Sequence, residues 1–139
     1  MRAQTTRRDN GPTRACLTLD PTTLQILDEL QHSMRTSRLE AARTIIDSVR
    51  EGEIKVPKLA DFYRDTWVLV PSRGRKTMMR FNWSVGHDDT LHALGMEVLG
   101  EDNKSAVFRL LVAYYGISVG KVRIAWTRAA ELKIKESKR

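Results

Sequence analysis

From Arg14 to Leu19, apolar and polar residues alternate. Ala15, Leu17 and Leu19 fall on one side, and Arg14, Cys16 and Thr18 on the other. A period of two predicts a strand with one buried face. Asp20-Pro21 then predicts a helix start, because an Asp oxygen can take a free N–H of the first turn and proline fits the first helical position. Leu24, Leu27 and Leu30 recur at helical spacing with Ile26 beside them, which carries that helix to about Ser33. The stretch "MRTS" breaks it. Ser37 and Glu40 have the spacing of a capping box, and Ala41, Ala42, Ile45, Ile46 and Val49 give a second helix its apolar face before Gly52 ends it.

The same pattern returns from Met79. Met79, Phe81, Trp83 and Val85 alternate with Arg80, Asn82 and Ser84. "GHDD" predicts a turn, with Asp88 or Asp89 as cap of a helix that shows Leu91, Leu94 and Val98 on one face and breaks at Gly100. Asn103 predicts the cap of a further helix with Val107, Phe108, Leu111 and Val112 as its apolar face. Tyr114 and Tyr115 lie near its end, and Gly116 is expected to stop it. Laid over one another, Leu19 falls on Val85, Ser37 on Asn103 and Arg43 on Arg109, each pair 66 residues apart. The first helices fit at 67, Leu24 on Leu91 and Leu27 on Leu94.

One strand and two helices, about 40 residues, bury too little surface to fold alone. A lone strand also leaves its N–H and C=O groups unpaired. Two such units in one chain remove both difficulties, since the strands can pair antiparallel and the four helices can share a core. The expected fold is therefore α+β and mostly helical, with units at 14–50 and 77–116. Residues 1–13 read as a basic flexible arm. Residues 51–76 are too apolar for a free linker: Phe62, Tyr63, Trp67, Val68, Leu69 and Val70 are expected to pack on the bundle, or else to offer a partner surface. Residues 117–139 read either as a basic helix or as a disordered tail.

Charge adds a partner class to this picture. The net charge is +7, of which residues 1–14 hold +3 and residues 117–139 hold +5, leaving the middle at −1. Basic ends on a near-neutral body suggest a polyanion. No apolar run approaches the roughly 20 residues of a membrane span, and the basic N-terminus has no apolar stretch behind it to make a secretory signal. The single cysteine, Cys16, cannot form an internal disulfide and fits a reducing cytoplasm. "HDDTLH" offers His87, Asp88, Asp89 and His92 as metal ligands, but with no Cys/His set elsewhere a helix cap and a surface histidine are the preferred reading. No nucleophile–base spacing or Gly-rich phosphate loop is present, so neither an enzyme nor a cofactor is expected.

Taken together, "TRACLTLDPTTLQILDEL…RTSRLEAARTII" resembles the ribbon-helix-helix (Arc/MetJ-type) family of DNA-binding proteins, and "RFNWSV" is similar in form to the strand that family places in DNA. Two units in one chain resemble the tandem form of TraY-like plasmid relaxosome proteins. The resemblance implies an intramolecular pseudodimer, a two-stranded antiparallel ribbon over a four-helix core, with the ribbon lying in the major groove. The strand faces turned from the core would then read bases: Arg14, Cys16 and Thr18 from one unit, Arg80, Asn82 and Ser84 from the other. The second helix of each unit would start beside the DNA backbone, with Ser37 and Arg38, and Asn103 and Lys104, at a phosphate. The implied partner is double-stranded DNA, with self-association of pseudodimers along it as an option, and the implied location is the cytoplasm, on the nucleoid. The expected function is transcriptional regulation. A relaxosome or partition accessory protein of a conjugative or mobile element is the alternative, and an antitoxin-like protein-interaction module is the alternative of another class.

Overall fold

The computed structural model describes residues 11–66 and 76–119. Along the chain come β1 (Pro12–Leu19), α1 (Pro21–Met34), α2 (Arg38–Arg50), α3 (Val56–Thr66), β2 (Thr77–Ser84), α4 (Val85–Leu94) and α5 (Lys104–Ser118). A π-helical turn, Gly95–Leu99, continues α4. The fold is α+β and mostly helical, with one two-stranded antiparallel sheet among the described residues. No described helix is long and apolar enough to cross a membrane.

β1 and β2 pair in a single register, from Pro12 opposite Ser84 to Leu19 opposite Thr77. β1 thus starts two residues before the alternation predicts, taking Pro12 and Thr13 from the stretch read as an arm. Proline has no N–H for a ladder and is tolerated as the first residue of a strand. Val85 N–H donates to the Gly11 carbonyl at 2.8 Å and ties that end down.

One face of the ribbon carries Ala15, Leu17, Leu19, Phe81 and Trp83, all buried. The rings of Phe81 and Trp83 stack 4.9 Å apart, and both meet Phe108 of α5, at 5.6 and 6.0 Å. Around them α1 contributes Ile26, Leu27 and Leu30, α2 contributes Ala41, Ala42, Ile45 and Ile46, and α4 contributes Leu91 and Leu94. The core is continuous across both halves of the chain. Two arginines cross between them. Arg43 on α2 donates to the Asn82 carbonyl of β2 at 3.1 Å, and Arg109 on α5 donates to the Thr18 carbonyl of β1 at 2.7 Å. These are the two residues that the 66-residue offset superposes, and each holds the strand that the other half supplies.

Several local starts and stops differ from expectation. Asp20 precedes α1 in extended conformation, but its carboxylate accepts from the Thr23 hydroxyl and makes no side-chain cap. Ser37 does cap α2, accepting from Glu40 N–H at 3.1 Å, and Asn103 caps α5, accepting from Ala106 N–H at 3.0 Å. "GHDD" is not a turn: Ser84 caps α4 by accepting from His87 N–H at 3.2 Å, so Gly86, His87, Asp88 and Asp89 fall inside the helix and Val85 begins it. Gly100 ends the π turn with φ of +79°, a conformation that costs glycine little. Gly116 does not end α5, because both Gly116 and Ile117 are buried and packing outweighs a propensity cost of about 1 kcal/mol.

The stretch after α2 contains α3, a helix that the apolar pattern of residues 51–76 does not predict. Leu59 and Phe62 are buried, with Phe62 edge-on to Tyr114 at 5.2 Å. Tyr63 lies at the surface. Trp67, Val68, Leu69 and Val70 fall outside the described residues, as do most of both basic ends.

Trp83→Ala is expected to cost about 3–5 kcal/mol by urea unfolding, the range for deleting a large buried aromatic. Tyr63→Ala should stay within about 0.5 kcal/mol, the usual surface value. A second test concerns Arg109, which is buried near the fully buried Asp20. Burial lowers the Arg109 pKa and the Asp20 charge works against that shift. Arg109→Met is expected to cost about 1.5–3 kcal/mol, because it removes a charged donor from the Thr18 carbonyl and a positive charge from the neighbourhood of Asp20. Adding Asp20→Asn should recover part of that loss, measured as a double-mutant cycle.

Candidate functional site

Opposite the core, the ribbon presents a second face that no described element covers. Period-two geometry sends Arg14, Cys16, Arg80 and Asn82 outward, where all four are exposed, with Thr18 half-buried beside them. The register sets them in facing ranks: Arg14 opposite Asn82, Cys16 opposite Arg80, and Thr18 opposite Met78. Five of the six expected base-reading residues therefore form one surface. The sixth, Ser84, sits at the ribbon's end opposite Pro12, and its hydroxyl is taken up by α4, 2.6 Å from His87 Nδ1.

The first and last of these ranks are held by the helices. The Asn82 carbonyl is fixed by Arg43. Thr18 is fixed twice by α5, its N–H donating to Ser105 Oγ at 3.0 Å and its carbonyl accepting from Arg109. The Thr18 and Asn82 side chains thus rise from backbone that helices of the opposite half hold in place. Met78 was missed by sequence reasoning. It is 63% exposed and belongs to the same outward face. The alternation extends to it from Arg80, but an apolar residue reads by default as core, and the pair Met78-Met79 hides which of the two points inward.

The two expected phosphate sites are built differently. At the start of α2, the Arg38 guanidinium lies 2.9 Å from Asp28 and 3.9 Å from the sulfur of Met79, while Ser37 caps the helix. At the start of α5, Lys104 Nζ pairs with Asp88 at 2.8 Å. An open groove between β1 and this helix start is lined by Arg14, Cys16, Asp88, Asp102, Lys104 and Ser105. One cap satisfies only one of the four free N–H groups at a helix start, so each terminus still favours an anion. An anion at α5 must compete with Asp88 for Lys104.

The residues of "HDDTLH" turn to different partners. His87 Nε2 lies 2.9 Å from Asp47 on α2, His92 Nδ1 lies 3.0 Å from Asp102, and Asp88 pairs with Lys104. Among the described residues, no three His, Cys, Asp or Glu side chains gather as a metal group. Only His87 is deeply placed, against Trp83. Its Nε2 is close to the Asp47 carboxylate but is not aligned as a hydrogen bond. Burial lowers the His87 pKa; Asp47 opposes this, and Arg50 and Arg43 reinforce it. The folded protein thus favours neutral imidazole. Its contribution to stability is complete above the unfolded value of 6.5 and is lost as pH falls through the lowered folded value.

Urea midpoints measured from pH 7.5 down to about pH 5 should fall more steeply for the wild type than for His87→Gln, which cannot titrate. No protein-family model, no curated protein and no solved structure matches this chain.

Proposed function

We propose that the protein binds duplex DNA sequence-specifically by laying the β1–β2 ribbon in the major groove, and that it acts as a transcriptional regulator. In this reading the chain is an intramolecular pseudodimer of two ribbon-helix-helix units, β1-α1-α2 and β2-α4-α5. The observation that carries it is the exposed outer face of the ribbon, with Arg14 facing Asn82 and Cys16 facing Arg80. A major groove about 12 Å wide admits a two-stranded ribbon. Arg can bond bidentately to guanine and Asn to adenine, each worth about 1–3 kcal/mol of discrimination.

The helix starts at Ser37-Arg38 and Asn103-Lys104 would take flanking phosphates, which position the ribbon without reading sequence. The basic ends of the chain would add a salt-sensitive, sequence-independent term. Because β1 and β2 carry different side chains, one molecule should read an asymmetric half-site. A DNA partner places the protein on the nucleoid. Whether it serves a promoter or a transfer origin depends on where its recognition sequence lies.

The test is selection of bound duplexes from a random library, run in parallel with the wild type and with Arg14→Ala/Asn82→Ala. The wild type should recover a compact motif and the double variant should lose it while keeping weak, salt-sensitive binding. Recovery of no motif, with binding that disappears as salt rises, would show that only the basic ends act and would overturn the ribbon as reader.

A further inference from the structure

The outer face of the ribbon is not chemically uniform, and the register gives its order. The rank of Arg14 and Asn82 holds two hydrogen-bonding side chains. Next comes Cys16 with Arg80, and then Thr18 with Met78. Met78, at 63% exposure, is the most exposed large apolar side chain among the described residues. Its neighbour Met79 takes the inward position, half-buried against the core and beside Arg38. Met78 therefore projects from the polar face at one end, opposite a threonine whose backbone α5 holds at both N–H and C=O. The surface runs from hydrogen-bonding to apolar along its length.

In the major groove the one apolar group that a base pair presents is the 5-methyl of thymine. A methionine thioether is flexible and polarisable enough to fit such a group without demanding one rotamer. The Thr18 methyl lies in the same rank. Strands advance roughly 3.4 Å per residue, close to the rise of one base pair, so Met78 lies about four base pairs from Asn82. We propose that Met78 is a specificity-determining residue that contacts a thymine methyl, supported by Thr18. The recognised half-site is then directional, with purines read at the Arg14–Asn82 end and a thymine about four base pairs away. This rests on the ribbon being the DNA reader and adds a residue and a direction to it.

The experiment uses the full chain and the tightest duplex recovered from the random library, with each thymine replaced singly by deoxyuridine, which lacks only the methyl. Affinities are measured for the wild type, Met78→Ala and Asn82→Ala. Met78 makes little core contact, so an unchanged urea midpoint checks that its variant is folded. The wild type should lose about fourfold in affinity at one thymine, the worth of one buried methyl-sized group. Met78→Ala should lose nothing further at that position. The position should lie about four base pairs from the base preference that Asn82→Ala abolishes. Identical deoxyuridine profiles for the wild type and Met78→Ala would overturn the role of Met78 while leaving the ribbon as reader. Failure to recover any preferred duplex would overturn both.

Discussion

β1 and β2 have no strand partner except each other among the described residues, and the rest of the molecule is arranged around that pairing. Each strand alone would present unpaired N–H and C=O groups on both edges. Pairing residues 12–19 with residues 77–84 satisfies one edge of each and ties the two ends of the fold together. A two-stranded ribbon is still only marginally stable in water, so one face must be packed. Phe81 and Trp83 provide that face, and Phe108 of α5 is the surface they rest on. Once the inner face is buried, the period of two leaves the other face outward, with its arginines and asparagine in fixed ranks.

Polar groups then hold the ribbon at defined points. Arg43 and Arg109 each reach from a helix of one half to a strand carbonyl of the other. A guanidinium stays charged at any physiological pH, and its donors reach a carbonyl with geometry that a lysine would not reproduce. Arg109 carries the larger burden, because it is buried and Asp20 is buried near it. A half-satisfied buried charge is costly. Its presence at the junction of β1 and α5 fits a place where position matters more than stability. The same junction holds Thr18, and so sets the height of the last rank of the outer face.

How much of this was legible depended on local signals. β1, α1 and α2 could be read because strand alternation, Asp20-Pro21 and the Ser37–Glu40 spacing agree. The equivalence of Arg43 and Arg109 was visible as a repeat, but their role was not, since a side chain bonding to a distant carbonyl leaves no periodic trace. In the second half, alternation continues unbroken through Val85, and Asp88 and Asp89 look like better caps than Ser84, which hid the true helix start. α3 was missed because Pro57 sits beside its first residue and only Leu59 and Phe62 are buried among its residues of described burial. Of the outer face, Arg14, Cys16, Arg80 and Asn82 followed from alternation alone. Met78 did not, because exposure of an apolar residue is decided by register and the strand's end, which composition does not encode.

The most direct measurement is to titrate isotopically labelled protein with the selected duplex and follow backbone amide shifts by NMR. Perturbations running along residues 13–18 and 78–83, with further shifts at the starts of α2 and α5, are the expected result. Shifts confined to the basic ends, with the ribbon amides unmoved at saturation, would contradict the outer face as the binding surface.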